Sequence, residues 1–474
     1  MKRTRPIRTV ILFIAFFVSQ DVLSQNLPFP NKEVVAHAGI GQLILNSDTL
    51  KGYNIDYGIL VVRESNAKDS RRIELPVVRI HSKSLTPQDP VFYFEGGPGL
   101  PNIKITVPDS ILENHDFVRI GYRGIDGSPS LNMPEFNQAL KETPNILHHE
   151  GLVALGKKVD LIVQNFQEKN KIDLREYNVL NVVDDMEKAR KALGYKRINL
   201  SAYSFGGAIA YTYCVRYPKS VHRVIYTEGA FPFNVGLANP SDIDASLNGQ
   251  NELWKQNPDN LRKSPDMIQT IRKVLKTLPR DWNGTTIDHD IIRFMTWGSL
   301  NTREMTAQCF NAYVAAESGD YSGLAALQQF YGTIVDLFNW GDMISKTFST
   351  NTGEIKDFEA MLDPEWSIIG APLSLLGWGL RQNSNWPVKP LPEKYRDFQT
   401  VNAESLLIVG SKEMIPEAEK KYMPYFKKGH LVAHENMGHM DLVNLEYNET
   451  QHMEKIFFLN GNIDISKFIG SEVR

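Results

Sequence analysis

At 474 residues the chain is too long for one small domain and suits one large domain carrying an insertion, or two. A net charge of −3 gives no reason to expect nucleic acid or an acidic membrane surface as partner. The two cysteines, Cys214 and Cys309, exclude a disulfide framework or zinc cluster and read as small buried hydrophobes.

Residues 1–25 read as a secretory signal: Lys2, Arg3, Arg5 and Arg8 are followed by the apolar run Val10 to Val18, with Ser24 offering cleavage before Gln25 or Asn26. That run is shorter than the roughly 20 residues of a membrane span, which disfavours an uncleaved anchor. The expected destination is therefore periplasm or medium, with no stable membrane insertion after signal removal. From Gln42 to Arg79, alternating runs such as Tyr57 to Val62 and Ile73 to Val78 predict antiparallel strands joined by a polar turn. Val91-Phe92-Tyr93-Phe94 is a buried strand entering Glu95-Gly96-Gly97-Pro98-Gly99, where glycines let the backbone curl and turn N–H groups towards a ligand. Another strand, Phe117 to Ile120, ends in the turn Gly121 to Ser128. The pair His148-His149 has no carboxylate–histidine motif around it and reads as a surface feature.

Asn178 to Leu193 has helical spacing, with Asn178 as cap, Gly194 as stop and Glu187–Lys191 as a favourable pair. It delivers the chain into Ile198 to Ala210, INLSAYSFGGAIA, where a strand turns sharply into a helix rich in small residues. This is the pattern of a nucleophile elbow presenting Ser204, with Ala202 in place of the usual first glycine. Val221 to Thr227 is a further strand ending at Glu228. The strand and helix rhythm argues for a mostly parallel sheet covered on both faces. From about Phe233 to Trp386 the pattern is helical and rich in tryptophan, and reads as a cap over the sheet's carboxyl edge. Strands return at Ser405 to Gly410 and at Leu431 to Ala433. The resulting division is a signal over 1–25, core over 26–232, helical cap over 233–386 and core again over 387–474.

YGILVV with ELPVVRI, FYFEGGPG, RGIDGS, NVVDDMEKARKALGYKRINLSAYSFGG, SGDYSGLAAL, LLIVGSKEMIP and NMGHM occur in that order. Together they resemble the proline iminopeptidase and tripeptidyl aminopeptidase branch of the α/β-hydrolases, from roughly Tyr57 to Phe468. The chain departs from that pattern at Glu95 before the glycines, Gly121 for Asp, Asp126 for the second Gly of the turn, Ala202 in the elbow, and Glu413 where Asp is usual.

A serine hydroxyl needs a base, and the base needs an orienting group. In this fold the chain order is Ser, then Asp or Glu, then His, which gives Ser204, Glu413 and His439. His430 and His434, at the two ends of a strand, are the competing bases, and Glu228 is the rival acid. Phe205 and Gly97, of the Gly96-Gly97 turn, are the expected oxyanion donors. The resemblance implies an exported serine hydrolase taking residues from the amino terminus of short peptides. A carboxylic ester hydrolase on the same triad and a non-catalytic binding protein are the alternatives. An exopeptidase needs a carboxylate for the substrate's ammonium, and Glu228 and Asp342 are the candidates. No metal or nucleotide cofactor is called for, since no G-x-G-x-x-G follows a strand.

Overall fold

The structure, a computed structural model, describes residues 27–231, 238–350, 357–413, 421–445, 447–468 and 471–473. The expected signal segment lies outside the described residues. Ten strands form one sheet in the order β1-β2-β3-β5-β4-β6-β7-β8-β9-β10. Strands β1 (Leu43–Leu50), β2 (Tyr53–Arg63) and β3 (Arg72–Ile80) are antiparallel neighbours. Lys51 and Gly52, both with positive φ, make the two-residue turn between β1 and β2, as the right-handed strand twist prefers. β4 (Gln88–Phe94), β5 (His115–Ile120), β6 (Ile198–Tyr203), β7 (Val221–Thr227), β8 (Val401–Gly410) and β9 (Phe426–His434) run parallel in the centre. β10 (Ser471–Val473) closes the far edge antiparallel to β9.

The central strands read as near-continuous apolar runs because helices cover both faces. Val91, Phe92, Phe94, Leu200 and Ala202 are all essentially inaccessible. Helix α3 (Val179–Ala192) forms as its spacing predicts: Asn178 accepts from the Asn181 N–H at 3.0 Å, and Val179, Val182, Val183, Met186 and Ala189 face the sheet. The predicted Glu187–Lys191 pair is present at 3.2 Å. Glu187 is nonetheless buried, held mainly by Arg190 at 2.7 Å and by the Tyr213 hydroxyl at 2.6 Å.

Among the described residues of 240–383 the structure is helical apart from connecting loops and a small hairpin of Asp281–Trp282 on Thr285–Thr286 that the sequence does not announce. The helical layer also takes in α1 (Pro134–Glu142) and α2 (His149–Asn170), which precede the elbow. Residues 131–177 share one hydrophobic cluster with 238–388. Buried side chains from both sides of the elbow thus pack into one cluster. His148 belongs to this seam: it bridges Asp290 at 3.4 Å and Glu359 at 2.8 Å, and these carboxylates raise its pKa to about 9. Cys214 and Cys309 are free and buried in separate clusters, where burial pushes their thiols up to about 12 and about 11. Among the described residues no helix is long and apolar enough to cross a membrane.

Candidate active site

β6 ends at Tyr203, and α4 (Gly206–Arg216) starts two residues after Ser204. The turn forces Ser204 to φ +50°, a left-handed conformation costing on the order of 1–3 kcal/mol for a residue with a side chain. Its backbone is locked by Ser204 N–H to Thr227 O at 3.1 Å and by Gly207 and Ala230 N–H groups on its carbonyl. Gly206 cannot be larger: a methyl there would lie 2.1 Å from Phe94 O. Ala202, wedged between Phe94 of β4 and Tyr226 of β7, shows that the first small position tolerates one methyl.

The Ser204 hydroxyl lies 2.9 Å from His439 Nε2, and His439 Nδ1 lies 2.8 and 3.0 Å from the two Glu413 oxygens. The two loops carrying these side chains are tied together: Ser411 N–H donates to His434 O, Lys412 N–H to Met437 O and Asn436 N–H to Ser411 Oγ, all within 2.9 Å. The cap holds the histidine loop through Met440 N–H to Asn301 O at 2.8 Å, and the Tyr203 hydroxyl donates to His439 O at 3.1 Å. The competing histidines stand elsewhere. His430 sits within β9, opposite Leu406, while His434 is buried against Phe468 and pushed down to about 4 by burial.

Glu228 stays close. It is buried at φ +49°, and its Oε1 accepts the Gly410 N–H at 2.7 Å, fixing the end of β8 from which the Glu413 loop departs. Ligand-type atoms of Glu228, Glu413 and His439 fall within 4.8 Å of one another, a cluster the imidazole–carboxylate contact already explains. Of the two acids, Glu413 is the one in hydrogen-bond contact with the imidazole ring.

β4 runs into the Glu95 to Gly99 loop beside the elbow. The Phe205 and Gly97 N–H groups donate to no carbonyl or side chain among the described residues, whereas the Gly96 N–H is taken by Glu95 Oε1 at 3.1 Å. Gly121 and Asp126, at the two ends of the turn after β5, are fitted to each other. Asp126 accepts the N–H groups of Tyr122 and Asn102 at 2.9 Å and of Ile103 at 3.1 Å, stitching the turn after β5 to the loop after β4. Its Cβ occupies the space beside residue 121, where a methyl would be 2.7 Å away, so that position is glycine.

Asn102, which the sequence does not single out, is fully buried. Its side chain accepts the Glu95 N–H at 2.9 Å and donates to Tyr93 O and Ile120 O. Burial would raise the pKa of Glu95, but Lys104 and Arg119 overcome it and hold the carboxyl below its usual range.

Asp342 is held by a cation of its own helix. It is fully buried in α5 (Trp340–Thr350), ion-paired with Lys346, whose Nζ also donates to Arg123 O at 3.3 Å. Burial pushes Asp342 up to about 6 against the pull of Lys346. The pair fastens the cap to the turn after β5. Beside it, Asn339 N–H donates to Gly99 O at 2.9 Å and Asn339 Nδ2 to Gly124 O at 3.1 Å.

A sequence model of the alpha/beta hydrolase fold matches residues 89–299. YuaR of Escherichia coli (strain K12) is 23% identical over 235 residues, which cover 47% of this chain and 45% of that protein. Serine protease Hip1 of Mycobacterium tuberculosis (strain ATCC 25618 / H37Rv) is 26% identical over 170 residues, covering 32% and 30%. The chain therefore spans less than half the length of either relative. Among solved structures, an esterase from Exiguobacterium antarcticum shares 13% identity at a TM-score of 0.36, covering 83% of this chain and 98% of that one. With a mostly parallel sheet that turns into a helix at a strained serine, and a matched fold model spanning that elbow, the chain has the α/β-hydrolase fold.

Proposed function

We propose that this protein is an exported serine hydrolase that removes residues from the amino terminus of short peptides through an acyl-enzyme. The observation that carries the reading is the unbroken line from Ser204 Oγ through the His439 ring to Glu413, with both contacts within 3.0 Å. Ser204 Oγ attacks the scissile carbonyl while His439 Nε2 takes its proton. Glu413 holds the Nδ1 tautomer and stabilises the imidazolium. The Phe205 and Gly97 N–H groups receive the oxyanion, and His439 returns the proton to the leaving amine. Water then repeats the sequence on the acyl-enzyme. A serine protease among the relatives supports a peptide substrate.

The ester reading draws on two observations: Asp342 is buried and paired with Lys346, and Glu228 Oε1 holds a backbone N–H. Simple esters need no ammonium-binding carboxylate. Fluorophosphonate labelling tests the triad, because native protein takes the label and Ser204→Ala does not. An aminoacyl or tripeptidyl amide with a free and with an acetylated amino terminus tests the substrate. Equal turnover of both, or cleavage of simple esters alone, replaces the peptidase with the esterase. Export predicts a mature protein beginning near Gln25, read by amino-terminal sequencing. Met1 on soluble cytosolic protein would overturn it.

A further inference from the structure

Tyr203, the residue before the nucleophile, is the last of β6 and pairs with Thr227 of β7. Side chains alternate across a strand, so Tyr203 points to the face opposite Ala202. From there its side chain meets both loops that serve the reaction. The hydroxyl donates to His439 O at 3.1 Å, and the ring centroid lies 5.6 Å from that of the imidazole, the planes 32° apart. On the oxyanion side, a methyl on Gly96 would lie 3.1 Å from Tyr203 Cδ1 and 3.3 Å from Cε1. The bare Gly96 backbone therefore packs against the ring. One side chain thus spans the loop after β4 and the loop after β9, which lie far apart in the chain.

Among the described residues no backbone N–H donates to His439 O, so the Tyr203 hydroxyl is what holds that carbonyl. Burial, with the Glu228, Glu413 and Glu95 carboxylates around it, keeps this hydroxyl well above the ordinary tyrosine range, and it stays a donor. The ring also borders a cavity of about 250 Å³ that Ser204, His439 and Glu413 do not line. A ring without its hydroxyl anchor has that space to turn into, since another staggered rotamer becomes open to it. The imidazole would then lose the surface it leans on.

We propose that Tyr203 is a positioning residue: its ring is the spacer that sets the distance between the His439 imidazole and the oxyanion loop, and its hydroxyl keeps the ring in place. The proposal rests on the serine hydrolase reading. Base, nucleophile and oxyanion donors must converge on one carbonyl carbon, and a misplacement of about 1 Å can cost about 10²-fold in rate. A spacer of this kind acts on the transition state and leaves ground-state binding alone.

The kinetics of phosphonylation by a fluorophosphonate test it, because that reaction uses the serine, the base and the oxyanion donors without requiring the natural substrate. Tyr203→Phe should lower the saturating rate by about tenfold, the worth of one hydrogen bond. Tyr203→Leu, which removes the spacer as well, should lower it by about 10²-fold. The half-saturating concentration should stay within about twofold, since ground-state binding is untouched. The end point should remain one label per chain, which counts the folded sites. The downfield ¹H NMR signal of the proton between His439 Nδ1 and Glu413 reports the ring without turnover. It should be sharp in wild type, absent from His439→Ala and broadened in Tyr203→Leu. An undiminished rate in Tyr203→Leu, a change confined to the half-saturating concentration, or a rate loss matched by a lower end point would each overturn the proposal. Wild type that takes no label would remove the hydrolase reading instead, and the proton signal would still decide the role of Tyr203. A signal unchanged in Tyr203→Leu overturns it in either case.

Discussion

Two carboxylates stand near one imidazole, and their contacts separate their roles. Glu413 touches His439 Nδ1, so Glu413→Gln should lower kcat by about 10³–10⁴-fold at nearly unchanged stability, as loss of the correct tautomer does elsewhere. Glu228 instead braces Gly410, so Glu228→Leu should cost about 1–3 kcal/mol in denaturant unfolding from the lost acceptor. Its effect on kcat should be far smaller. Steady-state kinetics beside urea titration reads both, and a Glu413→Gln enzyme of near-normal rate would transfer the orienting role to Glu228. Asp126 presents a similar contrast. Three backbone N–H groups converge on it, so Asp126→Ala should loosen the loop that carries Gly97. A lower kcat with a smaller change in KM is the expected signature, because the oxyanion forms only in the transition state.

At the scale of elements, helix α5 is the clamp between cap and sheet. Asp342 and Lys346 are both fully buried, and removing one partner of such a pair strands the other charge. Lys346→Met should therefore destabilise the protein by about 3–5 kcal/mol, whereas the double change Asp342→Leu with Lys346→Met should recover most of that loss. Thermal unfolding of the two single variants and the double variant measures the difference. A double variant no more stable than Lys346→Met would show that the helix is held by its apolar contacts and not by the pair.

Across the whole molecule, acid should loosen the far end of the sheet first. His434 is buried at the last position of β9, and burial lowers its pKa from about 6.5 to about 4. A base depressed in the folded state contributes stability above its unfolded pKa and loses it as pH falls through the folded one, here from about 6.5 to about 4. The difference corresponds to about 3 kcal/mol. His434→Phe, which keeps an aromatic ring beside Phe468, should lose less stability than wild type between pH 7 and pH 4.5 in guanidinium titrations. Equal losses in the two proteins would remove His434 from the account of acid sensitivity.

The sequence by itself determined the local pieces. The strands at Val91 to Phe94 and Val221 to Thr227, helix α3 with its Asn178 cap, and the elbow at Ser204 are all written in short-range periodicity and small-residue spacing, which act over a few neighbouring residues. Ser204, Glu413 and His439 were named differently, from the order Ser, acid, His that this fold's triads follow, on loops that come after recognisable strands. The tertiary structure alone decided which acid meets the imidazole, because Glu228 and Glu413 both follow strands and only the pairing of β7 with β8 fixes their reach. It also decided that Asp342 pairs with Lys346 beside the turn after β5, and that α1 and α2 share a hydrophobic cluster with residues that follow the elbow. Neither is local: a carboxylate's role depends on which cation folding brings beside it, and a helix's layer depends on which apolar face is left to cover it.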